Sequence, residues 1–127
     1  MKALNLSQWA WIAGLIEGEG CFSLTDTNPS PVFTITMSDE DVIAKLAELL
    51  DVKYKVKSPR NERCQTMYHI TVRKQAFNEW LISGIYRWMG KRRQAKLQEC
   101  IAYYQTKGSQ ELNHLLLSTN ADAMSAI

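Results

Sequence analysis

The chain reads as an α+β domain in the order α-β-β-α-β-β-α-α, with four strands in one antiparallel sheet and helices packed on a single face. Four segments repeat apolar residues at helical spacing. Four others alternate apolar and polar residues, and turn-forming clusters separate the alternating runs into hairpins.

Ser7 is a suitable N-cap for a first helix through Trp9, Trp11, Ile12, Leu15 and Ile16, which Gly18 and Gly20 end. Residues 21–27 alternate, Asn28-Pro29-Ser30-Pro31 has turn chemistry, and residues 32–37 alternate again, with Phe22, Leu24, Phe33, Ile35 and Met37 on the core face. Ser38, followed by Asp39, Glu40 and Asp41, starts a second helix whose apolar positions are Val42, Ile43, Leu46, Leu49 and Leu50. A second hairpin pairs residues 54–57 with 67–73 around a polar loop, turning Tyr54, Val56, Tyr68, Ile70 and Val72 inward. Ala76, Phe77, Trp80 and Leu81 mark a third helix, which Gly84 closes, and residues 91–106 form a fourth on Leu97, Ile101 and Tyr104. Residues 1–107 are thus expected to make one domain, with 108–127 a tail that is partly helical or disordered. No sequence repeat accompanies the two helix-plus-hairpin units.

With 127 residues, 46% hydrophobic and 22% charged, the composition fits one domain with a moderate core. Cys21, Cys64 and Cys100 are odd in number and widely spaced, which argues against a disulfide framework or a zinc site and for a reducing, intracellular setting. The longest apolar run, residues 9–16, is too short to span a bilayer and has no signal-like cleavage region, so neither secretion nor membrane insertion is expected.

A net charge of +2 conceals a strong asymmetry. Up to residue 52 the only basic residues are Lys2 and Lys45, whereas residues 53–107 hold most of the lysines and arginines against only Glu62, Glu79 and Glu99. That half suits a polyanion. The sheet face away from the helices would display Ser23, Thr25, Thr27, Thr34, Thr36, Lys53, Lys55, Lys57, His69, Thr71 and Arg73, joined by Arg60 and Arg63 from the loop. Hydroxyls and cations in that arrangement suit phosphates and base edges, although any antiparallel sheet exposes a polar face to solvent.

The most specific segment is Ile12-Ala13-Gly14-Leu15-Ile16-Glu17-Gly18-Glu19-Gly20. It resembles the nine-residue motif of the LAGLIDADG homing endonucleases, with Ile for the first Leu and Glu for both acids. The capped helix before it and the hairpin and helix after it extend the resemblance over residues 5–106. The resemblance implies a saddle-shaped sheet and a crossing of two motif helices, in which Ala13, Gly14, Glu17 and Gly18 form the contact between chains. It also implies that Glu19 and the Gly18 carbonyl hold Mg²⁺ near a scissile phosphate.

Gly90-Lys91-Arg92-Arg93-Gln94 resembles the place where family members carry a basic catalytic residue, which Lys91 matches best, with Arg92 and Arg93 left for the DNA backbone. Two positions depart from the family pattern: Met37 stands where some relatives have a polar residue, and Asp41 where some have a cation. With one motif per chain, the resemblance implies a homodimer that cuts both strands of double-stranded DNA at a long, near-palindromic site, leaving short 3′ overhangs. The host is then a bacterial or phage-infected cytoplasm or an organelle. An RNA maturase or a DNA-binding protein without cleavage shares the fold, and either would bind nucleic acid without metal-dependent cutting. A protein-interaction module built on the aromatic helices is the third reading, and it leaves the acidic motif and the charge asymmetry unexplained.

Overall fold

The structure, a computed structural model, describes residues 1–24 and 29–115. Helix α1 (Leu6–Glu19) starts two residues earlier than a Ser7 cap would allow, because Asn5 is its N-cap. The Asn5 side chain accepts from the Gln8 amide at 2.8 Å and the Gln8 side chain accepts from the Asn5 amide at 2.9 Å, a reciprocal capping box. Ser7 lies inside the first turn. The helix passes through Gly18 and stops at Gly20, whose extended backbone leads directly into the first strand.

Strands β1 (Gly20–Ser23) and β2 (Val32–Met37) pair antiparallel, with Phe22 opposite Phe33. Residues 25–28, the expected end of the first strand and the first turn residue, lie outside the described residues. Helix α2 (Glu40–Leu50) is preceded by Asp39 rather than Ser38 as N-cap, and Glu40 and Asp41 place negative charge on its first turn. It ends at Asp51, which takes the left-handed conformation at φ 56° that Asp tolerates better than most residues.

Strands β3 (Lys55–Lys57) and β4 (Met67–Val72) complete a four-stranded, wholly antiparallel sheet of order β1-β2-β4-β3. The second hairpin thus docks on the first through β4, putting Ile70 opposite Ile35 and Val72 opposite Phe33. Helix α1 packs on β1 and β2, and α2 on β2 and β4. Val56 takes the expected side of β3, opposite Tyr68, yet is 58% exposed because this three-residue strand lies at the edge of the sheet.

Helix α3 (Gln75–Ile85) continues past Gly84 into a short 3₁₀ turn (Tyr86–Trp88) before α4 (Lys91–Thr106). The glycine is there for a close approach, since a Cβ on it would lie 2.3 Å from the Trp9 ring of α1. Trp9 is itself held against Trp80, with ring centroids 5.0 Å apart.

The core joins Ile12 and Ile16 of α1, Ile43 and Leu46 of α2, Leu81 and Ile82 of α3, and Leu97, Ile101 and Tyr104 of α4 to Phe33, Ile35 and Ile70. Asn78, fully buried, donates to the carbonyls of Pro31 and Val72 at 3.3 Å each, tying α3 to the near ends of β2 and β4. Of the expected tail, residues 108–115 are described, and Leu112 joins the core. Residues 116–127 lie outside the described residues.

Candidate active site and nucleic-acid interface

The acidic motif occupies the second half of α1, and its residues divide between two faces. Ile12, Ala13 and Ile16 point into the core. Ala13 is only 1% exposed and packs within the core of its own chain. Gly14 and Gly18 are exposed, and a Cβ on either would find no atom within 4 Å. Their face of α1 is open to the approach of another backbone.

Glu19 is the last residue of α1 and is exposed. Among the described residues, no group of three or more His, Cys, Asp or Glu side chains is placed to hold a metal ion. A cation at Glu19 would therefore take its other ligands from backbone carbonyls, water, a phosphate or another chain. The Glu19 carboxylate and the free carbonyls at this helix end are oxygen donors of the kind that a hard divalent cation takes.

The N-terminus of α4 docks on this same helix end. Glu17 turns to α4, where its carboxylate accepts from the Gly90 amide at 3.3 Å and lies 3.6 Å from Arg93 Nε. Arg93 Nε donates to the Glu17 carbonyl at 2.9 Å, and its Nη1 donates to the Gly20 carbonyl. Glu17 thus serves the junction of α1 with α4 inside one chain. Arg93 is likewise engaged at the end of α1, while Lys91 and Arg92 are exposed. Lys91, one residue after Gly90, is brought to the corner of the fold that holds Glu19.

Beside this corner is a pocket of about 300 Å³ between α1, β1 and α4, walled by Ile16, Phe22 and Leu97 and edged by Arg92, Arg93 and Lys96. Lys96 is paired with Glu99 at 2.8 Å.

The sheet face away from the helices carries cross-strand rows. Thr34 sits between Cys21 and Thr71, and His69 between Thr36 and Lys55, with Lys57 opposite Met67 and Ser23 opposite Val32. Nδ1 of His69 is buried without a partner. Cys21 belongs to this face and was missed in the sequence, though the alternation counted back from Ser23 leads to it. Lys53, Arg60, Arg63 and Arg73 are exposed in the segments flanking β3 and β4. Within the strands, Ser23, Thr34, Thr36, Lys55, Lys57, His69 and Thr71 fall on one side of the sheet, and Thr25 and Thr27 lie outside the described residues. Met37 is half-buried opposite Tyr68, and Asp41 stands exposed at the start of α2.

The fold is that of a LAGLIDADG-type domain. The LAGLIDADG-like domain family matches residues 7–121, and the chain belongs to that family. Among solved structures it is similar to the archaeal intron-encoded homing endonuclease I-Vdi141I complexed with DNA, with a TM-score of 0.54 and 18% identity over 73% of this chain and 64% of that one. It is also similar to the I-LtrWI LAGLIDADG homing endonuclease bound to target DNA, with a TM-score of 0.57 and 22% identity over 96% of this chain and 43% of that one. For the LAGLIDADG meganuclease I-AabMI bound to uncleaved DNA the values are 0.55 and 21%, over 86% of this chain and 39% of that one. At these identities the likeness is one of fold, and the chain spans less than two thirds of each solved protein. No curated protein matches the chain.

Proposed function

We propose that two copies of this chain form a homing endonuclease that makes a metal-dependent double-strand break in a long, near-palindromic DNA site. One observation carries this reading: Glu19 stands exposed at the end of a helix whose neighbouring face, at Gly14 and Gly18, is open to a second backbone. Crossing two such helices there would bring two Glu19 carboxylates together. Each half-site would then lie along one polar sheet face, and the two-fold axis would set the symmetry of the target.

Glu19 and the Gly18 carbonyl are the groups that would hold Mg²⁺. When bound, the cation supplies Lewis acidity at the scissile phosphodiester and a more acidic attacking water. Lys91 contributes a positive charge toward the phosphoryl oxygens as charge builds on them. Thr34, Thr36, His69 and Thr71 present the base-reading side chains, and Lys53, Lys55, Lys57, Arg60, Arg63, Arg73 and Arg92 the phosphate contacts.

The test is a cleavage selection. Wild type and Glu19→Gln are incubated with a randomised or host-locus duplex library, with Mg²⁺ and with EDTA, and the cut ends are sequenced. Cuts by wild type in Mg²⁺ alone, sharing a two-fold site, support the reading. Retained binding to host-locus DNA or intron RNA without cutting would instead identify an inactive DNA-binding protein or an RNA maturase.

A further inference from the structure

We infer that Arg93 is a positioning residue, which clamps one side of the end of α1 so that the Gly18 carbonyl and the Glu19 carboxylate are presented together on another. The inference rests on the reading of Glu19 and Gly18 as cation ligands given above.

The last carbonyls of an α-helix have no intrahelical donor, so a helix end that must hold a fixed direction needs one from elsewhere. The last turn of α1 contains no basic residue. Arg93 reaches in from α4 and donates to two of the carbonyls, those of Glu17 and the cap residue Gly20. Gly18 and Glu19 lie between these two anchors in the chain. They are turned roughly 100° and 200° about the helix axis from Glu17, since each residue advances by about 100°. A guanidinium fork fixed on the Glu17 side therefore determines where Gly18 and Glu19 face without touching either.

The clamp is reciprocal. Glu17 places its carboxylate at the Gly90 amide, at the positive end of α4, while Arg93 places its cation at the negative end of α1. Lys91 lies between Gly90 and Arg93 and is thus held from both sides. Arg93 is also the partner less open to solvent, its side chain 21% exposed against 42% for Glu17. An ammonium lacks the planar fork that serves two carbonyls and a carboxylate at once, so lysine is a poor substitute here.

The test compares the full chain as wild type, Arg93→Lys, Arg93→Gln and Glu19→Gln. Amide hydrogen exchange reads the clamp, and Mn²⁺ binding, followed by water-proton relaxation with Mn²⁺ as the only added ligand, reads its consequence. In Arg93→Gln, residues 17–22 should exchange faster while α2 is unchanged, and Mn²⁺ affinity should fall about 10-fold or more, as when an outer-shell partner of a metal ligand is removed. Arg93→Lys should recover part of the protection and part of the affinity, and it carries the test if the glutamine variant fails to fold. Unchanged exchange at 17–22 in a folded variant overturns the clamp. Faster exchange with undiminished Mn²⁺ affinity overturns the positioning role. If wild type binds Mn²⁺ no better than Glu19→Gln, the cation reading of Glu19 falls and the positioning role with it, leaving the exchange result to show a helix cap alone.

Discussion

Gly84 passes so close to Trp9 that a Cβ on it would lie 2.3 Å from the indole. Trp9 is backed by Trp80 and cannot swing aside without breaking that contact. Gly84→Ala should therefore destabilise the fold by about 1–3 kcal/mol, the usual cost of overpacking, despite the better helix propensity of alanine. A urea midpoint at or above that of wild type would show that the crossing of α1 and α3 is looser than described.

Gly14 offers the opposite case. A methyl group there meets nothing within its own chain, so Gly14→Ala should stabilise an isolated chain by roughly 0.5–1 kcal/mol through reduced backbone freedom. Bulkier Gly14→Leu should leave the chain folded but push two α1 helices apart. Sedimentation velocity should show wild type associating and Gly14→Leu monomeric. Equal association of the two would place the dimer contact elsewhere.

Asn78 donates to the Pro31 and Val72 carbonyls from a fully buried position. Leucine has the same branching but is bulkier, so it both orphans the two acceptors and crowds a fully buried site, at a cost of at least about 1–3 kcal/mol. Thermal denaturation of Asn78→Leu should show a clear drop in Tm, and no drop would mean that water reaches those carbonyls.

Burial raises the Cys100 thiol from 9.0 to about 12 and the Tyr104 phenol from 10.0 to about 12. Both stay protonated in the folded chain over a range in which the unfolded chain has lost those protons. The stability they provide is complete below about pH 9 and is lost as pH rises toward 12. Urea midpoints should fall over that interval, and Cys100→Ala should flatten the early part of the decline. In the native state at pH 8 a thiol reagent should modify exposed Cys21 and Cys64, leaving buried Cys100 until the chain unfolds.

Where the sequence alone was sufficient, periodicity was the reason. Both hairpins and all four helices follow from alternation and helical spacing, because the pattern of burial that produces those periods is the fold itself. Ser7 and Asn5 are equally good caps by residue type, and it is Gln8, at capping-box spacing from Asn5, that selects Asn5. Gly84 was read as a helix stop because glycine has two uses, and only the position of Trp9 tells them apart. Ala13 is small, which fits either a helix crossing or a crowded core, and nothing in the motif says which. Arg93 was the legible omission. It lies on the same stripe of α4 as Leu97, Cys100, Ile101 and Tyr104, whereas Lys91 and Arg92 do not, and that register marks it as the inward member of the basic run.

The edge strand β3 is three residues long and sets Lys55 and Lys57 on either side of exposed Val56. An open edge normally invites another sheet to continue it, yet joining two copies here would force ammonium groups into opposition along the seam. Ribbon-like polymerisation is discouraged at the margin of the sheet that carries the least cover. At β3, charge and short length together disfavour pairing with a second copy of the same strand.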